Sequence, residues 1–229
     1  MLYSTIFKKA SMAISGLFLI IFLLQHFAIN ITSVFSGDLF NQLSHFMGTN
    51  PLVQFVLQPI LIFGVIFHFV MGFVLDIINK RARGRRYKIY KGNSNASWVS
   101  RNMIISGSTV LAFLALHFYD FWIPEMDYKY VKFLPEDPDR YFEELVHKFE
   151  DITRVVLYVI SFFFLALHLS HGFASSFQTM GFNNKYTVLV KSFGKLYAFG
   201  IPFGFAFIAI YHYLNPVSYT HLTLPTIYS

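Results

Sequence analysis

Long apolar runs separated by short polar connections make up most of the chain. Five of these runs are long enough to cross a bilayer as α-helices, which takes about 20 residues. They cover approximately residues 10–35, 52–78, 102–122, 152–177 and 193–214. The pattern therefore predicts an all-α membrane protein with five transmembrane helices.

The composition supports a membrane protein rather than a soluble one. Apolar residues make up 55% of the chain and charged residues only 13%, and 29 phenylalanines are more than a water-soluble core of this size would bury. Lipid-facing helix surfaces accept such residues readily. The chain contains no cysteine, which excludes disulfides, iron–sulfur clusters and thiolate haem ligation within it.

Charged residues are distributed unevenly between the connections. Residues 80–91 contain seven Lys and Arg side chains, and Lys8, Lys9 and the lysines of 185–195 fall on the same side of the five spans. Residues 123–151, on the other side, contain nine acidic and four basic residues. The positive-inside rule then makes the N-terminus and the basic loop cytoplasmic. The net charge of +6 reflects this topology and predicts no nucleic-acid partner.

Four of the spans carry a histidine at membrane depth, where a polar side chain needs a functional reason. At about 1.5 Å per residue, His26 and His117 lie about 21 and 22 Å from the cytoplasmic ends of their spans. His68 and His168 each lie about 24 Å from the outer ends of theirs. Because neutral imidazole is a usual ligand of haem iron, the matching depths predict two bis-histidine haems in a four-helix bundle. His26 and His117 would bind the outer iron, and His68 and His168 the inner iron.

Two of these histidines are followed by glycine one helical turn later. Gly72 and Gly172 lie below His68 and His168 on the same helix faces, which leaves room for a flat macrocycle. His171 is close to His168 in depth and is an alternative ligand, although we expect it to form a hydrogen bond or to lie near a quinone. For any single histidine, a hydrogen bond to a neighbouring helix is also possible.

The remaining histidines and the C-terminal residues carry weaker expectations. His45, His147 and His212 are expected to be solvated or interfacial. The sequence predicts no internal repeat and no low-complexity stretch. Residues 217–226, VSYTHLTLPT, look like a translated sequencing adaptor, so we interpret 217–229 as a non-native tail and exclude it from fold reasoning.

Four short motifs, one on each histidine-bearing helix, together resemble a known family. In chain order they are QHFAIN (25–30), HFVMG (68–72), HFYDFW (117–122) and HLSHGFASSFQTMG (168–181). With them, residues 1–216 resemble the cytochrome b membrane anchor of succinate dehydrogenase and fumarate reductase, in its form with one polypeptide, five helices and two haems. The family pairs its ligand helices in the same way as the depth estimate does.

The resemblance implies two haems b and a place in a succinate:quinone oxidoreductase of the bacterial cytoplasmic membrane. A flavoprotein subunit and an iron–sulfur subunit would dock on the cytoplasmic side, where residues 80–91 with Lys185 and Lys191 are expected to form much of the docking face. The chain would pass electrons between the iron–sulfur subunit and a quinone, most simply menaquinone, and would have no dicarboxylate site of its own.

For the quinone, we expect a site near the outer haem formed by Gln25, His45 and Asp120, which are among the few polar groups at that depth. A site on the inner side near His171 is the alternative.

Two other functions stay open from the sequence. Two-haem b-type anchors of nitrate reductases or membrane hydrogenases share this chemistry but have a different soluble partner. A transporter that relays protons would use buried histidines without an absorbing cofactor. A membrane di-iron oxidase is disfavoured, because its histidine clusters should lie in the cytoplasmic loops, and these loops are nearly free of histidine here.

Overall fold

The computed structural model describes residues 5–82, 103–181 and 185–216, and these residues form helices and no strands. Five helical segments are long and apolar enough to cross a membrane. The predicted fold class is confirmed, since the chain is an all-α, multi-pass membrane protein. In chain order, the helices are α1 (Thr5–Asn30), α2 (Gly37–Thr49), α3 (Gln58–Ala82), α4 (Met103–His117), α5 (Arg140–Phe149), α6 (Ile152–Thr179) and α7 (Thr187–Leu214).

A four-helix bundle formed by α1, α3, α4 and α6 is the centre of the molecule. Each helix contacts two neighbours around the bundle, so that α1 lies diagonally opposite α4, and α3 lies diagonally opposite α6. The most apolar part of α3 has no buried residue, because its inward face lines a central cavity and its outward face is turned towards lipid.

The fifth membrane helix, α7, packs outside the bundle along α6 and α1. Ala198 and Ala209 are fully buried in this contact, as expected where small residues let membrane helices approach closely. Phe205 stacks on Phe162 of α6 with ring centroids 5.5 Å apart. The hydroxyl of Tyr197 donates a 2.5 Å hydrogen bond to the backbone of α1. These contacts fix α7 against the bundle without bringing it to the axis.

The third membrane helix is longer than the sequence predicts. After α4 the helix continues as a π-helical turn (Phe118–Trp122), an α-helical turn (Ile123–Met126) and a second π-helical turn (Asp127–Val131), so it ends nine residues after Trp122. Pro124 has no N–H to donate to the α-helical ladder, and the wider turns on either side accommodate it. Part of the segment expected to be an outer loop is therefore helix.

Ion pairs explain why this polar extension stays helical. The carboxylate of Glu125 is paired with Arg140 of α5 and with Lys129 one turn further along. The side chains of Glu125 and Arg140 are only 17% and 10% exposed. Arg140 also pairs with Glu144 on α5 at 2.6 Å. A carboxylate and two cations that are paired with one another can be buried where a single charge could not.

The rest of the acidic segment folds over one end of the bundle, which we call the capped end. Helix α5 buries Leu145, Val146 and Phe149 against the bundle. Asn41 of α2 holds the start of α5, because its amide donates to the Asp139 carbonyl at 2.8 Å and accepts from the Phe142 N–H at 2.7 Å. The acidic segment therefore has a structural role, which is to cover this end of the bundle.

The opposite end of the bundle carries exposed cations and is called the basic end. Helix α1 begins there with Lys8 and Lys9, and α3 ends there with Lys80, which forms an ion pair with Asp76 at 2.7 Å. Residues 83–91 of the predicted docking loop and the tail 217–229 lie outside the described residues.

Candidate functional site

The four predicted histidines meet in two pairs along the axis of the bundle. The ring centroids of His26 on α1 and His117 on α4 are 5.7 Å apart, with their planes at 81°. Those of His68 on α3 and His168 on α6 are 6.3 Å apart, with their planes at 72°. Each pair comes from diagonally opposite helices, and side chains from such helices meet on the axis. These are the pairs that the depths in the sequence predict.

Both pairs line one cavity of about 930 Å³, which extends along the bundle. Lys9, Asp76 and Lys80 border it at the basic end, and Trp122 and Phe149 border it at the capped end. The volume is near the top of the usual range for ligand sites, about 300–1,000 Å³. The lining is mostly apolar apart from the histidines, which suits a large, flat, apolar group held by a few polar ligands.

The histidine geometry fits a bis-histidine haem at each pair. With metal–nitrogen bonds of about 2 Å, two imidazoles on opposite sides of one iron have ring centroids about 6 Å apart. The observed separations, 5.7 and 6.3 Å, lie on either side of that value. Nδ1 of His117 is also buried without a hydrogen-bond partner among the described residues. Buried ring nitrogens usually have a partner, so an unpaired one is a candidate to contact a bound group.

A metal centre of another kind has less support. Within 5–82, 103–181 and 185–216, no group of three or more His, Asp or Glu side chains is arranged to hold a metal ion. Pairs of imidazoles without carboxylates are ligands for a metal that brings its own equatorial donors, as a porphyrin does.

The hydrogen bonding of the two pairs differs. Nδ1 of His68 lies 3.0 Å from the hydroxyl of Ser15, and Nδ1 of His168 lies 3.4 Å from that of Ser106. The amide nitrogen of Asn30 lies 3.4 Å from Nδ1 and 3.5 Å from Nε2 of His26, and it donates to the His26 carbonyl at 2.8 Å. Neither serine is among the site residues predicted from the sequence.

The glycines near the site take part in two kinds of contact. A Cβ on Gly72 or Gly172 would lie 3.6 or 3.4 Å from the terminal methyl group of Met12 or Met103, so a methionine tip covers each glycine inside the cavity. That these two glycines leave room for a macrocycle stays a prediction.

Two further glycines were missed. A Cβ on Gly16 or Gly107 would lie 3.4 or 3.5 Å from Cε1 of His68 or His168. These glycines therefore lie where α1 and α4 pass the two imidazoles of the inner pair.

The prediction that the chain has no internal repeat is wrong. Residues 12–27 of α1 and 103–118 of α4 and its extension align without gaps, and eight of the 16 positions are identical. The identical pairs are Met12 and Met103, Ile14 and Ile105, Ser15 and Ser106, Gly16 and Gly107, Phe22 and Phe113, Leu23 and Leu114, His26 and His117, and Phe27 and Phe118. Helices α3 and α6 share the shorter pattern H-x-x-x-G-F. The chain therefore contains two related helix pairs, α1 with α3 and α4 with α6.

His171 lies in the same cavity one turn from His168, but the ring that pairs with His68 is that of His168. The role of His171 near a quinone stays a prediction.

The three residues expected to bind quinone have different surroundings. Asp120 is 2% exposed and already paired, with Tyr158 donating to Oδ2 at 2.7 Å and Arg154 lying 2.9 Å from Oδ1. Gln25 is exposed and donates weakly to Met47 at 3.5 Å. His45 lies on α2, with its ring 6.2 Å from that of Tyr141. None of the three lines the central cavity, so the cavity itself does not support this grouping, and the quinone role stays untested.

The expectation for His212 is wrong. Its side chain is 1% exposed, and its Nε2 lies 2.9 Å from the hydroxyl of Ser33. The ring of Phe142 on α5 covers it at 5.7 Å. The cap folds over the end of α7, which the sequence had left at the membrane surface. His147, in contrast, is exposed as expected.

Comparison of the chain with protein-family models, with curated proteins and with solved structures finds no match. The resemblance to the cytochrome b anchor family therefore depends on the four short motifs and on the histidine geometry alone.

Proposed function

We propose that this chain is a two-haem cytochrome b that carries electrons across a membrane, as the anchor of succinate dehydrogenase or fumarate reductase. The observation that carries the proposal is the pairing of four histidines from diagonal helices along one cavity. When bound, haem supplies one-electron iron chemistry with a potential set by its axial ligands and its surroundings.

In this proposal the residues of the chain hold, orient and seclude the two cofactors. His26 and His117 bind the outer iron, and His68 and His168 bind the inner one. Apolar side chains of the cavity exclude water, and the apolar face of α5 covers the cavity at the capped end, where Leu145 and Phe149 line it. Because both histidine pairs line one continuous cavity, the two haems would be held in the same apolar space, where they would supply one-electron chemistry.

The proposed partners follow from the two ends of the bundle. The iron–sulfur subunit, with the flavoprotein behind it, docks at the basic end, where Lys80, Lys185 and Lys191 are exposed. This end faces the cytoplasm of a bacterial cell. Menaquinone exchanges electrons with one of the haems in the membrane, with Gln25, His45 and Asp120 or, alternatively, His171 as the candidate contacts. The complex is an oxidoreductase, although this chain contributes no dicarboxylate site.

A two-haem anchor of a nitrate reductase or hydrogenase is the alternative with the same chemistry. The soluble subunits that purify with the chain separate these functions. A proton-relaying transporter is less well supported, because the imidazoles face one another across the axis instead of forming a chain from one end of the bundle to the other.

The test is spectroscopic. We expect the purified protein to show a reduced-minus-oxidised spectrum of b-type haem, with two haems per chain by pyridine haemochrome assay. His26→Ala, His117→Ala, His68→Ala and His168→Ala should each lose or convert one haem and keep the other, because removal of one ligand leaves the iron five-coordinate. His147→Ala is the control, since this side chain is 77% exposed outside the bundle.

Two results would change the proposal. The absence of haem from the parent protein would end the cytochrome interpretation. Two haems in His168→Ala but one in His171→Ala would make His171 the inner ligand.

A further inference from the structure

Two serines contact the imidazoles of the inner pair in the same way. The hydroxyl of Ser15 donates to the Met12 carbonyl at 2.9 Å and lies 3.0 Å from Nδ1 of His68. The hydroxyl of Ser106 donates to the Met103 carbonyl at 3.0 Å and lies 3.4 Å from Nδ1 of His168. Both serines are buried, at 8% and 5% exposure. In each case the serine is on one helix and the histidine is on its partner in the same helix pair.

The two serine–histidine contacts occur at equivalent positions of the internal repeat. Ser15 and Ser106 occupy equivalent positions in the segments 12–27 and 103–118. Each is followed by a glycine whose Cβ position lies 3.4 or 3.5 Å from Cε1 of the same imidazole. Repeats related by an axis along the membrane normal place equivalent side chains in equivalent surroundings. The serine–histidine contact thus occurs in both helix pairs and does not depend on a single side-chain rotamer.

The direction of the hydrogen bond follows from the single proton of a serine hydroxyl. At Ser106 the contact to the carbonyl oxygen, at 3.0 Å, is clearly shorter than the 3.4 Å contact to the ring, so the hydroxyl proton is directed to the carbonyl three residues earlier. At Ser15 the two contacts are nearly equal, at 2.9 and 3.0 Å, and the direction is inferred from its equivalence to Ser106 in the repeat. The serine oxygen is then left as an acceptor, and the imidazole nitrogen that meets it must be the donor. A neutral imidazole with its proton on Nδ1 has its free electron pair on Nε2.

We propose that Ser15 and Ser106 are positioning residues that hold His68 and His168 in the Nδ1–H tautomer, which makes Nε2 the ligand nitrogen of the inner pair. The tautomer itself depends only on the serine contacts, whereas the binding of iron by Nε2 rests on the proposed function. A hydrogen bond from Nδ1–H to an oxygen also raises the basicity of the other ring nitrogen, and this favours the more highly charged, oxidised metal. Among the described residues, no serine contacts the ring of His26 or His117, so we expect the effect at the inner site.

The chain contains a matched control for this arrangement. Ser33 donates to the Asn30 carbonyl at 2.7 Å and lies 2.9 Å from Nε2 of His212, which is outside the central cavity. Ser33→Ala removes a serine–histidine hydrogen bond of the same kind and burial without touching either histidine pair.

The first experiment reads the tautomers directly and does not depend on cofactor. In haem-free protein labelled with ¹⁵N-histidine and held in detergent, protonated and unprotonated ring nitrogens have well-separated ¹⁵N resonances. We expect Nδ1–H on His68 and His168 in the parent. Ser15→Ala should give a mixture of tautomers at His68 only, and Ser106→Ala at His168 only. Protonated Nε2 in the parent would mean that the serines donate to the rings, and it would overturn the proposal.

The second experiment uses the protein as isolated with haem. Ser15→Ala and Ser106→Ala should retain two haems and raise the midpoint potential of the one that is lost in His68→Ala. Ser15→Thr and Ser106→Thr keep a hydroxyl and should restore the parent potential, and Ser33→Ala should leave both potentials unchanged. Unchanged potentials in both alanine variants would overturn the positioning role. A parent without haem would refute the proposed function and leave the tautomer result standing.

Discussion

The hydroxyl of Tyr158 donates a 2.7 Å hydrogen bond to Oδ2 of Asp120, and both side chains are 2% exposed. Arg154, whose side chain is 24% exposed, lies 2.9 Å from the other carboxylate oxygen. A buried carboxylate, a partly buried guanidinium and a phenol therefore meet beside the ring of His117. A carboxylate buried in this way is stabilised only while its partners are present.

We predict that Asp120→Ala destabilises the protein by about 3 kcal/mol, because it leaves Arg154 without its counter-charge. Tyr158→Phe should cost about 2 kcal/mol, the usual loss for a hydrogen bond to a charged group. Unfolding in detergent, followed by circular dichroism against denaturant concentration, measures both effects. The double variant Asp120→Ala, Arg154→Met should be more stable than Asp120→Ala alone. Strictly additive losses would show that the two side chains do not interact.

The buried pair of Glu125 and Arg140 should control how firmly the cap is held. Glu125→Gln removes the charge that both Arg140 and Lys129 use, while α5 keeps its apolar contacts. We expect faster hydrogen exchange of the α5 amides and little change in the middle of α1 or α6. Glu143→Gln changes an exposed carboxylate on the same helix and is the control. Equal exchange in the two variants would contradict a role for the buried pair.

Alkaline pH should loosen the same region. Burial, and then the charge of Glu125, raise the pKa of Tyr141 from its ordinary value of 10.0 to about 12. The folded chain therefore keeps the phenolic proton at a pH where the unfolded chain has lost it. The contribution of Tyr141 to stability is complete below pH 10 and is lost as the pH rises from about 10 to about 12.

Tyr141→Phe has no phenolic proton to lose at this position. Its stability should fall less steeply than that of the parent across this pH range, as measured by thermal unfolding at stepped pH. Parallel curves would exclude Tyr141 as the titrating group. Arg140 stays protonated throughout, because its pairing with Glu125 and Glu144 raises its pKa despite burial.

Glycines along α7 should differ sharply in their tolerance of alanine. A Cβ on Gly194 would lie 2.5 Å from the ring of Phe173, which is 3% exposed and unable to move without disturbing the core. We expect Gly194→Ala to cost about 1–3 kcal/mol, as overpacking does. Gly200 is exposed with nothing near its Cβ position, so Gly200→Ala should be neutral or slightly stabilising. Equal thermal stability of the two variants would contradict the close packing of α6 on α7.

Features that repeat along the chain with a helical rise could be predicted from the sequence. The five spans follow from the length of the apolar runs, and the depths of His26, His68, His117 and His168 follow from counting residues. Polar side chains at equal depth in a helix bundle avoid lipid by facing the bundle axis, where they meet one another. For this reason the pairing of the histidines could be stated before the structure was known.

Features that depend on contacts between distant segments were decided only by the tertiary structure. The helix after Trp122 continues because Glu125 meets Arg140, and His212 is buried because α5 lies over the end of α7. The equivalence of Ser15 and Ser106 can be read from the sequence, but their contacts with the imidazoles of another helix are seen only in the structure. Apolar runs determine where a chain enters and leaves a membrane. The role of a buried polar side chain depends instead on its hydrogen-bond or ion-pair partner. In this chain that partner is often many residues away in the sequence.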